Sequence, residues 1–295
     1  MQRCFFAMSE SLHRPPTLLH RNAMTSTTHP EHAPTASPIR IGCAGWGLSA
    51  NVAARFPAPG SHLERYAQVF SAVEINSSFY RPHQPKTYAR WAASVPDAFR
   101  FSVKMPKRIS HELTLRDTDA ALGEFMQEVA ALGEKLGCLL LQLPPSLALD
   151  EGAARKFFSL LRRLTAAPVV CEPRHATWFT EAGAATLQDA GVAWVRADPA
   201  PIAGVEPAGE SGSDPGSDPG GDPGGDPGTL YLRLHGSPEI YYSAYDEPFL
   251  DAVAARITDA RKANADVWCI FDNTARGAAV PNALTLMEKL EKMAR

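Results

Sequence analysis

The sequence predicts a (β/α)₈ barrel, an α/β fold in a single domain. Short apolar runs alternate with helical patterns from Ile39 to Arg295. The runs are almost continuously apolar, as strands are when a parallel sheet is covered on both faces. Nearly every run also ends in polar residues, and barrel strands deliver site residues at their C-terminal ends. An open doubly wound sheet is the alternative, but no G-x-G-x-x-G follows the first run and no P-loop occurs.

The first strand is expected over Ile39–Gly45, and a loop holding Trp46 leads to a helix near His62–Phe70. The second strand spans Val73–Phe79, with a helix at Lys86–Val95. The third spans Phe99–Met105; a long connection through His111 precedes a helix near Ala120–Leu136. The fourth, Cys138–Leu143, is stopped by Pro144 and Pro145, and the next helix, Glu151–Leu164, places Phe157, Leu160, Leu161 and Leu164 at helical spacing. The fifth, Pro168–Glu172, precedes a helix over Glu181–Ala190 that ends at Gly191. After the sixth strand, Val192–Ala197, residues 199–228 hold a four-residue Asp/Pro/Gly repeat where a helix is expected. Such a segment cannot build a core and reads as a flexible insertion. The seventh strand, Thr229–His235, and eighth, Val267–Asp272, are followed by helices near Pro248–Ala263 and Pro281–Met293.

Residues 1–37 read as a disordered tail and residues 38–295 as the barrel. Met8 and Met24 offer alternative starts, and the tail lacks the apolar core and cleavage site of a secretory signal. No run approaches the roughly 18–20 apolar residues of a membrane span. A net charge of -3 excludes a generally basic surface for nonspecific DNA binding. Five cysteines without C-x-x-C spacing point to reduced, structural thiols and a cytoplasmic protein; Cys171, beside Glu172, is the one candidate for more.

The set IRIGCAGWG, VEINSSFYR, FRFSVKMPKRISHE, LGCLLLQLPPSL, CEPRHATWF, YLRLHG and FDNTARGAAVPNAL, in that order from Ile39 to Ala283, resembles the YecE-like family, the domain of unknown function numbered 72. The resemblance implies a TIM barrel with no established activity, and a likeness in shape to endonuclease-IV-like barrels. The chain departs from the family pattern at Ser110, where the family usually has Thr, and in the Asp/Pro/Gly insertion.

Alternate strand residues point into a barrel. Glu74 with Asn76, Ser102 with Lys104, and Arg233 with His235 therefore share faces, and Glu172, Arg174, Gln142 and Asn273 join them at the mouth. Glu172, His235 and Lys104 are the expected catalytic groups, Glu172 as general base or nucleophile and His235 as acid or base. Lys104, Arg174 and Arg233 are expected to bind an anion, since Arg forks match phosphate and carboxylate oxygens. Glu74 is expected to pair with Arg174 or Arg233. Of the aromatic residues ringing the mouth, Tyr80, Trp178 and Tyr245 are the expected stacking surfaces, and Phe79 is assigned to loop packing. His111 and His175 are weaker candidates. No cofactor and no intrinsic metal are expected, because Lys and Arg interleave with the potential ligands Glu74, Glu172, His111, His175, His235 and Asp272. The expected function is an enzyme acting on a phosphorylated or other anionic substrate. The alternatives are a protein binding short nucleic acid, or an endonuclease-IV-like metal-dependent phosphodiesterase.

Overall fold

The computed structural model describes residues 38–202 and 228–295. The N-terminal tail and most of the Asp/Pro/Gly insertion lie outside the described residues. Eight strands form one parallel sheet: β1 Ile39–Cys43, β2 Ala72–Ile75, β3 Arg100–Lys104, β4 Leu136–Gln142, β5 Val169–Glu172, β6 Ala193–Asp198, β7 Thr229–Leu234 and β8 Asp266–Phe271. Each strand from β2 to β8 pairs with the next, and β1 pairs with β8. The helices are α1 Ala50–Ala53, α2 His62–Tyr66, α3 Pro85–Ala93, α4 Asp119–Val129, α5 Glu151–Leu164, α6 Glu181–Asp189, α7 Glu247–Lys262 and α8 Ala279–Met293. None of them is long and apolar enough to cross a membrane.

Two apolar layers hold the fold. The larger lies between sheet and helices, with Phe101, Leu139, Leu141 and Phe271 meeting Phe125, Phe157, Leu161, Ile257 and Leu286. The smaller fills the barrel with Ala72, Cys138, Leu140, Val170, Val195, Tyr231, Trp268 and Ile270. Its contacts cross the interior: the Tyr231 hydroxyl on β7 lies 2.8 Å from Ser102 Oγ on β3. Gly137 on β4 makes room for Trp268, since a Cβ there would stand 2.7 Å from the indole ring.

The seam between β1 and β2 is nearly closed, and side chains close it. The backbone supplies one bridge, Ala44 to Glu74. Beyond it, Cys43 N–H donates to the Tyr66 hydroxyl (2.7 Å), which donates to Ala72 C=O (3.0 Å). Ile41 N–H donates to Ser71 Oγ at 3.2 Å. The strands approach so tightly that a Cβ at Gly42 would stand 2.0 Å from Ala72 O. Tyr66→Phe leaves two buried backbone groups unpartnered and is expected to destabilise by about 1–3 kcal/mol. An unchanged urea midpoint would show that the hydroxyl is not what closes the barrel.

The second strand is shorter than expected. It ends at Ile75, and the chain turns into a 3₁₀ segment, Ser77–Phe79. The Ser78 hydroxyl causes the turn, lying 2.9 Å from Ile75 O and 2.6 Å from Lys104 O. The expected shared parity of Glu74 and Asn76 fails there, because Asn76 lies beyond the strand. The long connection after β3 carries a π turn, Arg108–Glu112, holding His111. Thr114, Leu115 and Asp117 follow with φ of 49°, 64° and 48°. Non-glycine residues in that region are strained, β-branched Thr most of all.

Candidate active site at the carboxyl end of the barrel

Arg233 on β7 organises the mouth. Its side chain is wholly buried and holds three carboxylates. Nη2 stands 2.8 Å from Glu74 Oε1 and 2.9 Å from Asp272 Oδ2, Nε 3.0 Å from Glu74 Oε2, and Nη1 3.2 Å from Glu172 Oε2. β2, β5, β7 and the end of β8 are thereby tied together across the interior. Glu74 pairs with Arg233, one of its two expected partners, and also accepts from the Tyr231 hydroxyl at 3.1 Å. The expectation that Arg233 binds substrate is corrected: its guanidinium is already occupied and has no exposed surface to offer.

Glu172, expected as general base or nucleophile, is held by donors on both oxygens. Its Oε1 accepts from Gln142 Nε2 (2.8 Å) and from Arg174 Nε and Nη2 (2.9 and 2.7 Å). The carboxyl is fully buried, which alone would raise its pKa, but Arg233, His235 and Arg174 hold it well below the ordinary carboxylate range. So strongly ionised a carboxylate is a poor proton acceptor. It anchors Gln142, Arg174, Arg233 and His235.

His235 sits between Glu172 Oε1 (3.3 Å) and Asp272 Oδ2 (3.0 Å). Burial opposes the imidazolium, yet the two carboxylates outweigh it and raise the pKa above 6.5. A raised value stabilises the fold fully below the unfolded pKa and loses that contribution as pH rises through the folded one. The stability gap between the native chain and His235→Gln is therefore expected to shrink above about pH 6.5. Urea unfolding at pH 6 and pH 9 checks this, and a constant gap would contradict it.

Lys104, the last residue of β3, stands apart from this network. It is 5 % exposed, and its ammonium has no ion pair or hydrogen bond among the described residues. Its Nζ lies 4.1 Å from the centre of the Phe79 ring. Burial first, and Arg233 second, lower its pKa to about 8. His111 packs edge-on against the same ring at 5.0 Å. Burial and the charges of Lys104 and Arg174 lower its pKa as well. Arg174, a quarter exposed, reaches the same space with the Tyr241 hydroxyl against it. Tyr241, held at φ 72°, meets the His235 ring edge-on at 5.7 Å. Phe79, assigned to loop packing from sequence, is thus the surface carrying Lys104 and His111.

The model of the family described as "Protein of unknown function DUF72" matches residues 40–295. The chain belongs to the DUF72 family. UPF0759 protein YecE of Escherichia coli K12 is 39 % identical over 82 residues, 28 % of this chain and 30 % of YecE. UPF0759 protein YunF of Bacillus subtilis strain 168 is 24 % identical over 148 residues, 48 % of this chain and 52 % of YunF. The matches thus span about a third to a half of these relatives' lengths. A DUF72 protein from Thermotoga maritima MSB8 shares the fold with TM-score 0.65 at 22 % identity, covering 86 % of this chain and 99 % of that one. One from Enterococcus faecalis V583 does so with TM-score 0.66 at 19 % identity, covering 86 % and 96 %.

The remaining expected site residues of this DUF72 chain divide by environment. Tyr80 is 73 % exposed at the rim, against Phe79. Asn76 has a buried Oδ1 with no hydrogen-bond partner. Two expectations, the stacking roles of Trp178 and Tyr245, are corrected. Trp178 is buried, its indole N–H donating to Leu147 O at 3.0 Å, so it offers no stacking face. Tyr245 stacks on Phe249 at 4.3 Å, and its hydroxyl links Gly236 N–H to Asp198. Asn273 Nδ2 donates to Ser243 O and Asn282 Oδ1, linking the loop after β7 to α8, and its buried Oδ1 has no hydrogen-bond partner. His175 caps the 3₁₀ turn Ala176–Trp178. Cys171 is buried, and desolvation pushes its thiol well above its ordinary pKa, so it is not a reactive thiolate. Among the described residues no group of three or more His, Cys, Asp or Glu is disposed to hold a metal.

Proposed function

We propose that this protein is an enzyme acting on a small anionic substrate, most simply a phosphate ester, at the C-terminal mouth of the barrel. The observation that carries the reading is Lys104. Three carboxylates lie in the same mouth, yet Arg233, Arg174 and His235 take them all and leave the lysine unpaired. A buried ammonium without a partner is costly unless a ligand supplies the counter-charge. Arg174, a quarter exposed, spends Nε and Nη2 on Glu172 and has Nη1 beyond that pair to offer an anion. His111, its pKa depressed by burial, has Nδ1 2.9 Å from Ser110 Oγ and its other ring nitrogen left to carry a proton beside them.

The donor set argues for this reading over a metal-dependent phosphodiesterase. Glu74, Glu172 and Asp272 already surround a cation, the guanidinium of Arg233. The exposed ring of Tyr80 favours a ligand with a flat or sugar-like face, a nucleotide among them.

The test is thermal unfolding with inorganic phosphate, sugar phosphates, nucleotides and short oligonucleotides. Ligand at 100 times Kd adds about 2.7 kcal/mol. The native chain is expected to be stabilised, and Lys104→Met and Arg174→Met are expected to lose the shift. Equal shifts in all three would place the anion elsewhere. A larger shift with oligonucleotides that weakens with salt would favour the nucleic-acid reading.

A further inference from the structure

We infer that Lys104 is an amine nucleophile that condenses with an aldehyde or ketone of the bound anion to form an imine. The inference rests on the anion-site reading and narrows the substrate class to phosphorylated or carboxylated carbonyl compounds. A lysine that only binds an anion gains from staying charged, and the surroundings of Lys104 oppose that charge. Its side chain is only 5 % exposed, its Nζ makes no ion pair among the described residues, and the permanent cation Arg233 outweighs the favourable contact with the Phe79 ring face. These are the two devices that activate an amine: desolvation and an adjacent cation. With a pKa of about 8, roughly one molecule in ten carries the free amine at pH 7. An ordinary lysine would present about one in three thousand.

The chemistry needs no redox partner. The Nζ lone pair attacks the carbonyl carbon, and the C=O π pair moves to oxygen, which takes a proton. Nζ gives up a proton, leaving a neutral carbinolamine. A proton returned to the hydroxyl lets it depart as water, and the nitrogen lone pair forms the C=N bond of a protonated imine. His111, against the same Phe79 ring, is the group placed to move those protons. Arg174 is placed to hold the phosphate or carboxylate while the carbonyl faces Nζ.

Glycolaldehyde phosphate with sodium cyanoborohydride at pH 7, followed by peptide mass mapping of the full chain, tests this. The secondary-amine adduct is expected at Lys104 at least about tenfold faster than at the exposed Lys156. Arg174→Met is expected to slow it about tenfold. Lys104→Arg, which keeps the charge but cannot form an imine, is expected to lose the adduct and keep stabilisation by inorganic phosphate. Labelling of Lys104 no faster than Lys156 overturns the inference. If phosphate still stabilises the native chain through Lys104 and Arg174, the anion site stands without the imine; if phosphate does nothing, both fall.

Discussion

Arg233→Met is expected to destabilise the protein by about 3–5 kcal/mol, enough to leave much of the chain unfolded if the native margin is ordinary. The substitution removes the cation shared by Glu74, Glu172 and Asp272, and leaves Glu74 with only the Tyr231 hydroxyl while Glu172 keeps Arg174 and His235 and Asp272 keeps His235. Two of them, Glu74 and Glu172, are wholly buried. The penalty is less the lost attraction than the charge left behind on Glu74 without water or counter-charge. Two companions follow. Glu74→Gln in the Arg233→Met background is expected to recover about 1 kcal/mol or more, because it removes one stranded charge. Arg233→Lys keeps the charge without the fork and is expected to be the milder change. Urea midpoints decide, and a loss below about 1 kcal/mol for Arg233→Met would mean the network is not what binds the strand ends together.

Lys104→Met is expected to do the opposite and stabilise, by up to about 3 kcal/mol near pH 7. A pKa lowered from 10.5 to about 8 means that folding penalises the ammonium. Methionine keeps a flexible stem over Phe79 and drops the charge. The sign in pH is specific. Between the folded value near 8 and the unfolded value of 10.5 the unfolded chain binds more protons, so this group makes stability rise with pH there. The rise is expected in the native chain and absent from Lys104→Met. A residue that weakens the fold at a mouth where a partner was within reach is one kept for another purpose, the usual trade between stability and activity. Destabilisation by Lys104→Met would mean the lysine is an ordinary structural cation.

The barrel was legible because alternation needs only local residues. Each apolar run is a strand, and Glu151–Leu164 forms one helix over that full span. The strand ends also carried real information: Glu74, Gln142, Glu172 and Arg233, all expected at the mouth, form one bonded network. What the strand ends could not supply was who pairs with whom. Arg174 and Arg233 both suit a carboxylate, and only the positions of β2, β5 and β8 around β7 give Arg233 three of them. That competition decides which cation is left over. Lys104 is left because arginine forks reach the carboxylates first.

Two further features had no local signal. Phe79 looks like packing in a strand, and becomes the floor under Lys104 only because Ser78 turns the chain at Ile75. The closure of β1 on β2 through Tyr66 depends on a hydroxyl from a helix that periodicity describes only as apolar. Trp178 and Tyr245 lack a local signal for the same reason. Loop aromatics near the mouth read alike in sequence whether they face solvent or, as here, the core.

If Lys104 is an unpaired, poised amine in an anion site, its own titration reports it. Protein carrying ¹³C at the lysine Cε, with Lys104 assigned by its loss in Lys104→Met, gives the curve by NMR. The expected result is a midpoint near pH 8 that moves up when inorganic phosphate is added, because a bound anion favours the ammonium. A midpoint near 10.5 that phosphate leaves unmoved would contradict the account.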